Sequence, residues 1–246
     1  MSKQGEKTFL TNQGKEGAEH IYNMPFSHEI CGQVLMDVGS IIELLPKPPA
    51  RLLDLGCGTG WTSCIFAKRG YDVVGHDIAP DMIEYANRKK DEERVNVKFV
   101  ESDYEHISYD NEFDCAVFYS SLHHAEDEEE ALKCAYKALK KNGTLVVFEP
   151  GKGHSTAQQS VDVMNKYDVT DKDMPPGYVI RLAKKIGFSG HKFYPQLSQL
   201  FKISYTQPNR GRFYKFVLQL GITRVLGVLF IMLYYKHRYG LVVLVK

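Results

Sequence analysis

Residues Leu52 to Gly60 read Leu-Leu-Asp-Leu-Gly-Cys-Gly-Thr-Gly, an apolar run that enters a glycine-rich turn with one carboxylate, Asp54, just before the bend. A second apolar run, Val73-Val74-Gly75-His76, ends on another carboxylate, Asp77. In an open α/β sheet this pairing holds a nucleoside. Glycines lack Cβ atoms, so backbone N–H groups can press against a ligand, and the distant acid can accept both ribose hydroxyls. A glycine turn alone also serves tight strand–helix packing; the acid at the end of a second strand is what points to a ligand.

The rest of the chain alternates in the same way. A polar, glycine-containing stretch to about Glu19 reads as a loose tail. Ile30, Val34, Leu35, Val38, Ile41, Ile42 and Leu45 recur at helical spacing, and Pro46, Pro48 and Pro49 stop that helix. Strands are expected over 51–55, 71–75, 95–100, 113–119 and 144–148, with helices over 61–69 and 81–90 between them. The acidic run Glu126–Glu130 and the basic Lys140 and Lys141 suit the two ends of another helix, with Gly143 as its stop. Val179, Leu182, Ala183 and Ile186 mark a further helix closed by Gly187, and 192–194 and 241–245 are candidate last strands. The pattern implies an α/β fold, doubly wound, with a mostly parallel sheet covered on both faces. The expected division is an N-terminal tail and cap helix over 1–45, an α/β core over 46–196, an insertion over 197–240 and a last core strand over 241–246.

In order and spacing these motifs resemble those of class I S-adenosylmethionine-dependent methyltransferases. Asp54-Leu55-Gly56-Cys57-Gly58-Thr59-Gly60 looks like the motif that cradles the methionine part of the cofactor. Asp77 falls where the family's ribose-binding acid sits, Ile78 where an apolar residue covers the adenine, and Ser102-Asp103-Tyr104 where an acid receives the adenine amino group. Phe113-Asp114-Cys115-Ala116-Val117-Phe118-Tyr119, running on to Ser120-Ser121-Leu122-His123-His124, resembles the fourth motif. The resemblance implies a seven-stranded, Rossmann-like sheet with its last strand antiparallel, S-adenosylmethionine as cofactor and S-adenosylhomocysteine as product. Met82, Tyr119 and Tyr22, the last as a lid residue, complete the expected cofactor contacts. The stretches Glu149–Ser155 and Asp171–Pro176 are similar to segments of bacterial methyltransferases linked to surface-glycan synthesis.

Methyl transfer from a sulfonium is an in-line displacement, so positioning is the main task and can supply roughly 7–11 kcal/mol. A hydroxyl acceptor also gains from a general base, typically ~10²–10⁴-fold. His123 and His124 follow the fourth strand at the ligand-binding edge of the sheet, and Glu149 and His154 flank the exit of the fifth. These four are the candidate catalytic residues. Their residue types also suit a divalent ion, but no short ligand spacing demands one, so no metal is expected. The aromatic Tyr104, Tyr119 and Trp61 could face the sulfonium or the adenine, with core packing an equal role for Trp61.

The expected function is O-methylation of a sugar, glycan or other small metabolite. N- or C-methylation of a small molecule is the nearest alternative. A nicotinamide-dependent oxidoreductase is disfavoured because the turn lacks the extra residue of GxGxxG. A non-catalytic, membrane-associated binding protein on the same scaffold is the remaining alternative. From 216 to 235 the only charge is Arg224, which suits a buried helix, a homodimer contact or a peripheral membrane contact better than a crossing. Net charge is +1, with no basic stripe for nucleic acid. Five cysteines without a CxxC pair, and no apolar core near Met1, fit a cytoplasmic protein.

Overall fold

The computed structural model describes residues 3–198 and 240–246, with the isolated positions 226 and 229 between them. Among the described residues seven strands form one sheet: β1 (Arg51–Leu55), β2 (Asp72–Asp77), β3 (Val97–Glu101), β4 (Phe113–Tyr119), β5 (Leu139–Glu149), β6 (Gly190–Tyr194) and β7 (Gly240–Val245). Their spatial order is β3-β2-β1-β4-β5-β7-β6. The pairs from β3 through β5 are parallel, and β7 runs antiparallel to both β5 and β6. The expected sheet is therefore present, last strand included.

Helices cover both faces. α3 (Cys31–Leu44) and α4 (Trp61–Arg69) lie on one side, where Val38, Ile41, Leu52, Phe66 and Val117 form the core. α6 (Glu128–Ala138) and α8 (Pro176–Ile186) lie on the other, over Leu53, Leu55, Phe118, Leu132 and Leu145. The central strands β1 and β4 are thus buried on both faces and read as near-continuous apolar runs, whereas the edge strand β3 exposes Lys98 and Glu101. The chain winds outward in opposite directions from β1 and β4, so the crevice between their carboxyl ends is the switch point where such sheets bind ligands.

Three expectations differ from the structure. The polar N-terminal stretch is α1 (Lys3–Asn12) and α2 (Gly14–Tyr22), not a loose tail. Only Gly5, Leu10, Ala18 and Tyr22 are buried there, too few to give a readable periodicity. Long-range contacts hold them: Phe9 meets Tyr167 edge-on at 5.3 Å, and the Thr11 amide and hydroxyl donate to Asp81 at 3.0 and 2.8 Å. Second, α6 stops at Ala138, before the lysines. Leu139 is fully buried and pairs with Phe113, so Lys140, Lys141 and Gly143 belong to β5. Third, α7 (Gln158–Tyr167) stands between β5 and α8, where no element was expected. α5 (Pro80–Glu93) completes the set, opened by its proline and closed by Arg94 in the left-handed region.

The insertion expected over 197–240, with its apolar 216–235 segment and its membrane or subunit contacts, lies outside the described residues apart from 197, 198, 226, 229 and 240. Among the described residues no helix is long and apolar enough to cross a membrane.

The core of β2 carries a pH-sensitive group. His76 is 2% exposed, and its Nε2 meets the Tyr109 hydroxyl at 2.9 Å. Burial, helped by Lys98, pushes its pKa down to about 4. Between pH 6.5 and 4 the unfolded chain binds a proton that the folded chain refuses, so His76 costs up to about 3 kcal/mol as pH falls through that window. Asp54, raised by burial to about 6, works in the opposite direction below pH 6. Comparison with His76→Gln isolates the histidine. The expected result is a stability difference that closes in favour of the variant by about 3 kcal/mol from pH 7 to pH 4, read by urea denaturation. Parallel curves would refute it.

Candidate active site

The glycine turn sits at the carboxyl end of β1, beneath the start of α4. Gly56, Gly58 and Gly60 all have positive φ, at 76°, 52° and 78°. They differ in what surrounds them. A Cβ on Gly56 would stand 2.4 Å from the Ser121 Cβ, and one on Gly60 2.6 Å from Phe99, so both are close-packing positions. A Cβ on Gly58 would meet nothing within 4 Å. Gly58 is the point where bare backbone faces open space.

Asp54 lies under the turn rather than in the crevice. Its Oδ2 accepts from the hydroxyls of Thr62 and Ser63 at 2.8 and 2.6 Å, tying β1 to the first turn of α4. Asp77 buttresses the turn from the side. Its Oδ2 accepts from the Gly58 amide at 2.8 Å and its Oδ1 from the Ala79 amide at 3.0 Å. Burial raises the Asp77 pKa, and these two amides act against that rise.

A cavity of about 190 Å³ opens on this turn. Gly56, Gly58, Asp77, Ile78, Met82, Asp103 and Tyr104 line it, with Ser120, Ser121 and His124 from the loop after β4. Tyr104 is fixed by its hydroxyl, which donates to the Ser121 carbonyl at 2.8 Å. Ser120 holds a left-handed φ of 53° at the end of β4, a conformation that costs a non-glycine residue energy and recurs at functional sites. Its amide donates to the Phe148 carbonyl at 2.8 Å, which turns the chain into the crevice.

A second cavity, about 530 Å³, adjoins the first and shares Phe9, Gly56, Gly58, Met82 and Ser120 with it. Cys57, Thr59 and Tyr119 belong to this one. Trp61, Tyr119 and Phe148 form an aromatic wall on it: Trp61 meets Tyr119 edge-on at 5.7 Å, and Tyr119 stacks on Phe148 at 5.3 Å. His20, His28, Asp37 and Gln196 add polar groups.

Tyr22, Gly60 and Ser102 line neither cavity. Tyr22 packs its ring against Tyr85 at 5.5 Å, with its hydroxyl on Glu92. Ser102 holds the β3 exit by donating its amide to the Asp77 carbonyl at 2.9 Å.

The element that sequence reasoning missed is α1. Lys3, Glu6 and Phe9 line the first cavity. Lys3 pairs with Asp103 and stands 3.2 Å from Glu105, while Glu6 accepts from the Thr170 amide at 2.7 Å and lies 3.6 Å from His124. The sequence signal was a single i, i+3 pair of charges, Lys3 and Glu6, which any solvated helix also carries.

The four candidate catalytic residues separate into two groups. His124 faces the first cavity. Burial disfavours its charged form, but Glu6 and the Thr170 carbonyl, 2.5 Å from Nδ1, outweigh that and hold its pKa up at about 9. His123 is 4% exposed, and its Nδ1 lies 2.6 Å from Glu149 Oε2; burial and the neighbouring His124 lower its pKa. Glu149 Oε1 accepts from the Ser121 and Leu122 amides at 2.9 and 2.8 Å. His154 meets Asp171 at 2.6 Å. His123, Glu149 and His154 therefore stand behind the loop that lines the crevice, and Asp171, which sequence reasoning did not single out, joins them.

The comparisons with known proteins agree with this geometry. Residues 53–147 match the family described as "Methyltransferase domain". A demethylmenaquinone methyltransferase of Thermus thermophilus is 37% identical over 115 residues, covering 44% of this chain and 52% of that protein. A ubiquinone/menaquinone biosynthesis C-methyltransferase of Haemophilus ducreyi is 36% identical over 105 residues, 40% of each. The chain thus spans about half the length, or less, of the curated relatives it matches. Among solved structures, phosphoethanolamine N-methyltransferase 2 of Haemonchus contortus, in complex with S-adenosyl-L-methionine, superposes with a TM-score of 0.68 at 18% identity, over 98% of this chain and 60% of that one. The magnesium protoporphyrin IX methyltransferase of Synechocystis, with its cofactor bound, gives 0.62 at 14% identity, over 98% and 97%.

Proposed function

We propose that the chain is a class I S-adenosylmethionine-dependent methyltransferase, as its match to the methyltransferase domain supports, and that it methylates a small hydroxylated acceptor held against the aromatic wall beside the glycine turn. The cofactor is S-adenosylmethionine and the product S-adenosylhomocysteine. When bound, the cofactor supplies an electrophilic methyl carbon on a sulfonium. The residues present fit it: Gly58 offers uncovered backbone, Asp77 a carboxylate for the ribose hydroxyls, and Ile78, Met82 and Tyr104 apolar cover for the base. Asp103 is available to an adenine amino group once Lys3 leaves it.

The observation that carries the acceptor reading is the continuity of the two cavities. They share Gly56, Gly58 and Ser120, so a ring seated on Trp61, Tyr119 and Phe148 lies next to the cofactor's reacting end. Alignment of this kind is where most of the rate would come from. His124 is the candidate proton-handling group on the cofactor side, and His20 and His28 stand on the acceptor side.

Oxygen methylation, of a sugar, glycan or phenolic hydroxyl, is the first reading. Methylation of a ring carbon made nucleophilic by an adjacent hydroxyl is the second, and the names of the Thermus and Haemophilus relatives favour it. Incubating the purified chain with S-adenosylmethionine and a panel of glycosides, phenols, quinols and amines tests both. A product heavier by one methylene, formed only from hydroxylated rings, is expected; fragmentation assigns the methyl to oxygen or carbon. Methylation of amines alone would overturn both readings, as would binding of NADH in place of S-adenosylhomocysteine. Phe148→Leu should raise the acceptor KM about 10-fold with cofactor Kd unchanged, because it trims the wall and not the turn. An unchanged KM would remove the wall from the acceptor site.

A further inference from the structure

Behind the crevice, three loops bring together side chains that neither cavity uses. His123 comes from the turn after β4, His154 from the β5–α7 loop and Asp171 from the α7–α8 connection. His123 Nε2 is 3.6 Å and His154 Nε2 2.6 Å from the same carboxylate oxygen, Asp171 Oδ1. The three ligand atoms all lie within 4.8 Å of one another. The two imidazole rings stand perpendicular, at 89°, with centroids 5.3 Å apart.

The group behind His123 decides how the site is to be read. Glu149 Oε2 lies 2.6 Å from His123 Nδ1, and the other oxygen of that carboxylate accepts two backbone amides. A carboxylate so placed is an acceptor, so Nδ1 carries the proton and Nε2 presents its lone pair. That lone pair faces the Asp171 oxygen across 3.6 Å, between residues only 4% and 9% exposed. Two acceptors facing each other in the interior are unfavourable without a proton or a metal cation between them.

We propose that His123, His154 and Asp171 bind a divalent transition-metal ion of the zinc class, with Glu149 as the carboxylate that orients His123. Two imidazoles and one carboxylate suit zinc and its neighbours rather than magnesium or calcium, which prefer all-oxygen shells. A carboxylate on the far nitrogen of a ligating histidine is the usual outer support of such sites. Ligand atoms around a tetrahedral zinc stand roughly 3–3.5 Å apart, so metal entry opens the His154–Asp171 contact and draws the ligands together by about 1 Å. His154 can make that adjustment: it is partly exposed, beside Gly153, whose φ of 93° faces open space. A cavity lined by Glu126, Ser155, Met164, Thr170, Asp171 and Lys172 opens beside Asp171 and gives solvent a path to that carboxylate. The ion would add a clamp to three loops already joined by two backbone hydrogen bonds, from the Lys172 amide to the His123 carbonyl at 3.1 Å and from the Met174 amide to the Pro150 carbonyl at 2.9 Å, and so hold the His123–His124 turn at the crevice in place.

Metal content and affinity test the proposal directly, without any activity assay. The purified chain, stripped with chelator and titrated with zinc chloride in competition with a chromogenic chelator, should bind one equivalent tightly. His154→Ala, on the exposed loop, should weaken that binding at least 100-fold, and Glu149→Gln, acting through His123, 10–100-fold. His191→Ala, on exposed β6, should leave it unchanged. Cobalt substitution should give the visible absorption of a tetrahedral ion in the wild type and not in His154→Ala. Zinc should also raise the Tm of the wild type and not of that variant. No stoichiometric zinc in the wild type overturns the proposal, as does His154→Ala binding zinc like the wild type. Should Glu149→Gln fail to fold, Asp171→Asn is the substitute, and retained affinity there overturns the proposal equally.

Discussion

Asp77→Ala is expected to lower the affinity for S-adenosylhomocysteine by on the order of 100-fold or more while the domain stays folded. Two losses add. With Asp77 in the proposed ribose-binding role, the ribose hydroxyls lose a charged acceptor, worth about 1.5–3 kcal/mol. The amides of Gly58 and Ala79, now held by the two carboxylate oxygens at 2.8 and 3.0 Å, lose their partner, so the turn is no longer set for the ligand. Each freed amide costs about 1–3 kcal/mol, which a domain of ordinary stability survives. Asp77→Asn keeps one carbonyl oxygen and should fall between wild type and alanine. Calorimetric titration with S-adenosylhomocysteine, beside a thermal melt, separates binding from folding. Wild-type affinity in a folded Asp77→Ala protein would move the cofactor away from this cavity and take the functional reading with it.

The position of that acid beside the turn was legible because its signal is local: one strand, one turn and one second strand, each with its own composition. The same holds for β1, α4 and β4, whose ends the sequence places where the structure has them. What stayed hidden is what depends on contacts far along the chain. α1 carries few buried residues, yet it supplies Lys3, Glu6 and Phe9 to the cavity, because its partners Asp103, His124 and Tyr167 stand a hundred residues or more away. Asp171 is unremarkable in sequence and becomes a centre of the histidine cluster only when the α7–α8 connection folds against the β4 loop. The sequence set His123 and His154 together with His124 and Glu149 as metal-binding types but could not bring in Asp171: spacing rules work along one helix or hairpin, and these side chains come from separate loops. Asp54 shows the converse. Its position in the motif suggests a ligand contact, but the hydroxyls of Thr62 and Ser63, both on the first turn of the next helix, take its carboxylate inward.

The turn's glycines separate folding from binding, and two alanine substitutions should split along that line. Gly56→Ala puts a methyl 2.4 Å from the Ser121 Cβ and 3.0 Å from its Oγ, at a φ of 76°. Ser121 cannot retreat, since its hydroxyl donates to the Leu55 carbonyl at 2.6 Å and its amide to Glu149 at 2.9 Å. Overpacking at about 1–3 kcal/mol and left-handed backbone at about 1–2 kcal/mol together predict a loss of roughly 2–5 kcal/mol of stability. Gly58→Ala has only the backbone cost, because nothing lies within 4 Å of the added methyl. It should remain folded with a loss of about 1–2 kcal/mol. Its methyl enters the open space against which the cofactor is proposed to lie, so cofactor affinity should fall more than 10-fold in a protein that melts almost normally. Pairing Gly56→Ala with Ser121→Gly should recover the steric part of the first loss and none of the backbone part, a coupling that a double-mutant cycle measures. If instead Gly58→Ala binds S-adenosylhomocysteine as the wild type does, the open backbone at Gly58 is not the surface against which the cofactor lies.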